Sequence, residues 1–302
     1  MRYDTIVIGG GPAGLTAAIY LRRAGKSVAV IEKGSFGGQV NYSPKIENYP
    51  GFESISGNEL ADTMTGHAIA QGADVIPETV TGVRLEGALK TVVTEDGSEY
   101  SAPALIIATG AKHRLLGVHG ESEYIGHGIS FCAVCDGAFC EGQDVAVIGG
   151  GNSALQEALL LSDICRSVTI VQNLGFLTGE KQLAERLSAC RNVSVIYGAT
   201  VESFYGDSEL RGLRIVTTSG TRELKAESVF IAVGLAPDND IVKDIVQLDT
   251  NGCIVAAEDC ITSVEGIYAA GDCRSKQIRQ ITTAVADGAT AALAACRYMD
   301  ML

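Results

Sequence analysis

Asp4-Thr5-Ile6-Val7-Ile8-Gly9-Gly10-Gly11-Pro12-Ala13-Gly14 reads as a strand running directly into a glycine turn. Residues 4–8 are rich in β-branched side chains, and residues 15–24 have the apolar spacing of a helix. Between them Gly9 permits the tight bend and Gly11 lets a pyrophosphate approach the backbone. Gly14 lets the helix pack closely on the strand, and Pro12 and Ala13 complete the turn. A second strand, 27–31, follows that helix and ends at Glu32, where a carboxylate can accept the hydroxyl hydrogens of an adenosine ribose.

The same unit recurs near the middle of the chain. Residues 144–148 read as a strand, Gly149-Gly150-Gly151-Asn152-Ser153-Ala154 as the turn and 155–162 as the helix. The register holds through a strand at 167–171, but the position matching Glu32 carries Gln172. Each copy also has a late apolar strand ending in glycine, at 105–110 and 229–234. Core strands with turn glycines would explain one such triplet; two in register require two dinucleotide folds. A further strand and turn, Gly266-Ile267-Tyr268-Ala269-Ala270-Gly271-Asp272, and an alanine-rich helix at 282–296 need a host sheet, which the first copy can supply. The expected architecture is α/β, with two Rossmann-like, three-layer nucleotide-binding domains. The first is discontinuous (1–114 and 239–302) and the second (115–238) is inserted into it, so that two crossings form a hinge.

A length of 302 residues agrees with two domains, and 36 glycines against 6 prolines fit a chain of tight turns rather than a disordered one. The net charge of −13 opposes binding to nucleic acid or an anionic membrane. No apolar stretch is long enough to span a bilayer, and the N-terminus enters a strand without a leader pattern; a soluble, cytoplasmic protein is expected. The nine cysteines are odd in number and mostly scattered, which fits reduced thiols. Cys132 and Cys135 break that pattern as a Cys-x-x-Cys, redox-active or metal-binding. A zinc site would need two more ligands; Cys140 is near, but there is no second Cys-x-x-Cys, and His127 has no partner at ligand spacing. Redox chemistry is the expectation, with no metal, and the other seven cysteines read as small apolar residues.

Gly9 to Gly14, Gly37-Gly38-Gln39, Glu47-Asn48-Tyr49-Pro50-Gly51, Ala108-Thr109-Gly110-Ala111, Cys132-Ala133-Val134-Cys135-Asp136-Gly137 and Ala270-Gly271-Asp272 with Arg279-Gln280 together resemble the low-molecular-weight thioredoxin reductases over nearly the whole chain. The resemblance implies a homodimeric flavoprotein that holds FAD on the first glycine turn and Glu32. It places Gln39 and Asn48 beside the isoalloxazine, Gly38, Ala108, Thr109, Gly110 and Gly271 in the same site, and Val83 near the adenine. Asp272 would bind the ribitol, and Arg279, Gln280 and Ile281 would reach the flavin pyrimidine edge. It also assigns the thiols: Cys135 faces the flavin and Cys132 attacks the disulfide of thioredoxin. Two thiols three apart can hold an electron pair and pass it on through a mixed disulfide. A helix starting at the motif would lower a thiol pKa, and Asp136 would shuttle protons as general acid and base, with a helix cap as the competing role.

The electron donor departs from the family's NADPH-dependent members, which follow the strand at 168–171 with a His-Arg-Arg run and a later arginine. Here those positions read Gln172-Asn173-Leu174 and Thr178. Losing two charge-assisted bonds would cost about 3 to 6 kcal/mol of NADPH binding. The remaining pattern resembles the ferredoxin-dependent flavin thioredoxin reductases, and transfer from a ferredoxin near −400 mV to a thioredoxin near −270 mV is downhill by about 6 kcal/mol per electron pair. Residues 115–238 carry 8 basic and 15 acidic side chains, so an acidic ferredoxin needs a local basic patch. Arg274, Lys276 and Arg279, or Arg22, Arg23 and Lys26, are the candidates. Other readings are an NADPH enzyme with a divergent pocket, a dithiol oxidase, or a non-enzymatic flavin redox sensor. The reductase reading requires the second domain to rotate, first presenting its pair to the flavin and then to a protein disulfide.

Overall fold

A computed structural model describes residues 1–43 and 45–302. The chain forms two compact units, Met1–Lys112 with Ala236–Leu302, and His113–Leu235. It passes between them in the short strands Ala111–His113 and Leu235–Pro237, which pair with each other as a two-stranded ribbon.

The first unit is built on a five-stranded parallel sheet in the order Ile267–Ala269, Ala104–Ile107, Thr5–Ile8, Val28–Ile31, Asp74–Ile76. The second has the order Val193–Ile196, Ser167–Val171, Asp144–Ile148, Ser228–Ile231, Ile129–Ser130, again all parallel. The repeat is kept to the residue: Ile8 pairs Ile31 and Ile107, and Ile148 pairs Val171 and Ile231. Thr5–Ile8, Val28–Ile31 and Ala104–Ile107 are buried at every position, as continuous apolar strands covered on both faces should be. Each unit adds a three-stranded antiparallel sheet, Val80–Glu86 with Leu89–Thr94 and Glu99–Ala102 in the first, and Thr200–Gly206 with Leu210–Thr217 and Gly220–Lys225 in the second. Both units are Rossmann-like α/β folds.

The helices begin earlier than residue patterning suggests, at Pro12 and Asn152 rather than 15 and 155. Pro12 occupies the first helical turn, where its missing N–H costs nothing. The tail helix Ile281–Met299 outruns its expected end, with Arg297 in its last turn where a cation favours the helix C-terminus. This helix packs on Pro12–Arg23 through small residues: a Cβ on Gly288 would lie 2.2 Å from the Ala13 carbonyl oxygen. Ala291, Ala292 and Ala295 are fully buried along it. A side chain at 288 would drive the two helices apart, which close-packed interiors tolerate poorly.

Candidate functional site

In the first unit the three turn glycines do three different things. Gly9 sits at φ +109°, and a Cβ there would come within 2.2 Å of the Ala108 carbonyl oxygen. Gly14 could not carry a Cβ either, because it would lie 1.9 Å from the Gly9 carbonyl oxygen. Gly11 is the opposite case: its nearest neighbour in that direction is the Gly37 carbonyl oxygen at 4.0 Å, so the backbone there is open to a phosphate. Glu32 closes over the turn, accepting from the Gly10 N–H at 2.7 Å and the Gly34 N–H at 2.8 Å.

Around this turn the structure gathers much of the set assigned to FAD. Gly38 approaches Gly11 within 3.4 Å, measured from its would-be Cβ to the Gly11 Cα. Asn48 donates to the Gln280 side chain (3.2 Å), and Arg279 Nε donates to the Asp272 carbonyl oxygen (3.5 Å). Ala108 is buried, Gly110 takes φ +70°, and the Thr109 hydroxyl donates to Asn239 Oδ1 at 2.9 Å. Ile281 is the first residue of the tail helix, and Gln39 is exposed in the short 3-10 turn Gly38–Tyr42. Val83 stands on the antiparallel strand Val80–Glu86 opposite Val92, partly buried against the cluster that includes Ile8 and Ile31. Asp272 supplies the most pointed observation: its Oδ1 is buried without a hydrogen-bond partner. Burial pushes this carboxyl up, while Lys276 and Arg279 pull it down. A buried acceptor left open beside a backbone cradle fits a polyhydroxyl ligand, and so the residues present fit FAD.

In the second unit Cys132 and Cys135 are joined as a disulfide with Cα atoms 5.3 Å apart. Cys135 lies in the one-turn helix Ala133–Asp136, for which Cys132 is the N-cap and takes the Cys135 N–H on its sulfur at 3.2 Å. The helix expected at the motif is thus only a single turn, and the charge stabilisation available to a Cys132 thiolate is this local N–H rather than a long dipole. Asp136 does not cap a helix with its side chain; its Oδ2 accepts the Ser130 hydroxyl at 2.6 Å. Ser130 Oγ in turn accepts the Cys132 N–H at 3.1 Å. Burial pushes the Asp136 carboxyl up and the Ser130 hydrogen bond pulls it partly back, which suits a group that must hold and release a proton near the sulfurs. Of the seven remaining cysteines, six are buried and Cys190 is partly exposed.

The second glycine turn is filled differently. A Cβ on Gly150 would meet Gln172 Nε2 at 2.3 Å, and the Gln172 amide is spent on its own loop, accepting from the Asn173 N–H (3.1 Å) and donating to the Phe176 carbonyl (3.0 Å). No Lys or Arg occurs from 172 to 180, where Leu174 and Phe176 stand exposed. Five of the six cations in the basic patches expected to receive a ferredoxin are engaged within the fold, and Arg23 is exposed. Arg274 and Lys276 are spent in ion pairs with Asp287, and Arg279 points to Asp272 and Cys253. Arg22 is spent on the carbonyls of Gln71 and Lys26, and Lys26 pairs with Asp300. Clustered charge in sequence reveals nothing of the acids that fold onto it.

With a cystine beside a partly buried acid in one Rossmann unit and an open polyhydroxyl cradle in the other, comparison with known proteins is decisive. A family model described as pyridine nucleotide-disulphide oxidoreductase matches residues 3–288. The chain belongs to that family. It is 42% identical over 303 residues to a thioredoxin reductase of Treponema pallidum, covering 99% of this chain and 98% of that one. It is 40% identical to a 34.2 kDa protein in a rubredoxin operon of Clostridium pasteurianum, covering 98% and 97%. The crystal structure of thioredoxin reductase from Streptococcus pyogenes superimposes with a TM-score of 0.94 at 42% identity, over 100% of this chain and 99% of that one.

Two residues escaped sequence reasoning. Ser130 bridges Cys132 and Asp136, and its only sequence signal is a hydroxyl two places before the first cysteine. Asn239, 2% exposed, joins Thr109 to the Gly252 and Cys273 carbonyls across long sequence distances and had no signal.

Proposed function

We propose that this protein is a thioredoxin reductase that holds FAD in its first unit and passes electrons through Cys132 and Cys135 to the disulfide of a thioredoxin-like protein, as a homodimer. The observation that carries this is the Cys132–Cys135 disulfide set against Ser130 and the raised Asp136. Bound FAD supplies the ability to take electrons singly and release them in pairs. The chain's own part is sulfur and proton chemistry. Two electrons and two protons convert the cystine to two thiols. The Cys132 thiolate, stabilised by the Cys135 N–H, attacks the partner's disulfide, forming one S–S bond and releasing one partner thiolate. Cys135 then displaces the second partner thiolate and restores the cystine. Asp136 takes and returns the proton. The pair must visit both the flavin and the partner protein, which the two connecting strands would allow by rotation.

Reduced ferredoxin is the donor we favour. Supporting it is the Gln172 loop, which has no Lys or Arg for a 2′-phosphate and carries an amide where the matching turn has the ribose-reading Glu32. The retained glycines at 149–151 and the family's pyridine-nucleotide chemistry favour NADPH as the second reading. Steady-state reduction of thioredoxin with reduced ferredoxin, NADPH and NADH separates them. Fast turnover with ferredoxin alone is expected, whereas turnover with NADPH at a comparable rate would overturn the donor assignment. Failure with every donor would overturn the reductase assignment.

A further inference from the structure

Asp287, on the tail helix, accepts four hydrogen bonds. Arg274 donates from Nε (2.9 Å) and Nη2 (2.8 Å), Lys276 from Nζ (2.8 Å) and Gly271 from its backbone N–H (3.0 Å). The side chains of Arg274 and Asp287 are each 9% exposed and that of Lys276 8%, so all three charges are nearly out of water. Burying two cations and one carboxylate carries a desolvation cost that their attraction barely offsets, so such a triad adds little to stability for its own sake. It also leaves one positive charge in excess.

The Gly271 N–H shows what the triad holds. Gly271 sits in the left-handed region at φ +82°, and a Cβ there would lie 2.9 Å from the Ala13 Cβ, at the start of the first glycine-turn helix. Its turn has no side-chain cap of its own. The next residue is Asp272, with its buried, unpartnered Oδ1. The carboxylate of Asp287 is therefore one residue away, along a fixed turn, from the acceptor assigned to the flavin's ribitol.

We propose that Asp287 is a positioning residue for the cofactor: clamped by Arg274 and Lys276, it fixes the Gly271 turn so that Asp272 offers its free oxygen to the ribitol hydroxyls of FAD, with FAD taken to occupy this unit as proposed. Burial raises the Asp272 carboxyl, and Lys276 partly offsets that rise while Asp287 adds to it.

Titration of the full-length apoprotein with FAD, followed by flavin fluorescence, tests this. Asp287→Asn keeps the volume but removes the charge, and should raise the FAD Kd by about 10- to 100-fold; Asp272→Asn should do the same. The double variant should be no worse than the weaker-binding single variant, because both changes act on one contact. Lys276→Met keeps the Arg274 pair and the Gly271 bond, so it remains informative should Asp287→Asn fail to fold; a rise of about threefold to tenfold is expected from it. A merely structural role would lower the Tm of the apoprotein while FAD Kd stayed within about twofold of wild type. That result, or free-energy losses that simply add in the double variant, would overturn the proposal. Absence of FAD binding by the wild-type chain would overturn the cofactor assignment and this proposal together, whereas tight wild-type binding with unaltered variants overturns this proposal alone.

Discussion

Residue 32 is a glutamate and residue 172 a glutamine, at the same step of two matching turns. Both side chains fold back over the middle glycine: a Cβ on Gly10 would meet the Glu32 Cβ at 2.9 Å, and one on Gly150 would meet the Gln172 amide. Two backbone N–H groups occupy Glu32, and a carboxylate has roughly four acceptor sites, so about two remain for a ribose. Gln172 has no charge and turns its amide to its own loop. The glycines thus preserve the same turn in both copies, while the side chain that closes over it is a carboxylate in one and a neutral amide in the other. The helices that follow differ in the same manner. Fully buried Ala17 in the first copy corresponds to Glu157 in the second, whose Oε2 is buried without a partner and whose carboxyl is pushed up to about 7 by burial.

The contrast can be broken at four places. The largest effect is expected at Asp136, which precedes the stretch of the second unit that repeats the first. Asp136→Asn should lower disulfide turnover by about 10²- to 10⁴-fold. Because burial raises the Asp136 carboxyl, the wild-type rate carried by its acid form should fall as pH climbs through that raised value, and a pH–rate profile of the variant should lose this limb. A profile unchanged in shape would remove Asp136 from the chemistry.

Next comes Glu157. Its folded value near 7 against 4.5 for the ordinary carboxyl means the folded state holds the proton longer than the unfolded chain does. Stability is therefore favoured below pH 4.5 and lost as pH rises to about 7, a swing of about 3 kcal/mol. Glu157→Gln should raise urea stability at pH 8 by up to that amount and change it little at pH 4; equal effects at both pH values would contradict the burial argument. Converting the first turn to resemble the second, Glu32→Gln should weaken FAD about 10- to 100-fold in a fluorescence titration, the loss of a charged acceptor for the ribose. The converse change, Gln172→Glu, should strengthen NADH binding by about tenfold without helping NADPH, whose phosphate would meet a like charge. Calorimetric titration with both nucleotides reads this directly.

The sheets were legible in the sequence because the central strands are short and apolar and the first strand of each repeat runs directly into glycine, a pattern that survives without knowledge of its neighbours. Helix starts were less so: Pro12 and Asn152 carry the first turns, yet turn residues look like loop when read alone. Spacing sufficed to find Cys132 and Cys135, but the Ser130 bridge depends on the chain doubling back, which no local pattern encodes. Arg274 and Lys276 were misread for the same reason. Their partner Asp287 lies beyond a turn and on another helix, and only the folded chain brings it within 2.8 Å of each. Long-range pairing hides both the charge that is spent and the charge that is left.

One measurement reaches the central claim. FAD-loaded protein is reduced anaerobically with ferredoxin, quenched with an alkylating agent and mapped for newly reactive thiols, beside the Cys132→Ser variant. Two alkylated cysteines per flavin, at Cys132 and Cys135 and nowhere else, are expected in the wild type, with none gained by the variant. A flavin that bleaches fully while the 132–135 cystine stays closed would contradict electron transfer between cofactor and disulfide.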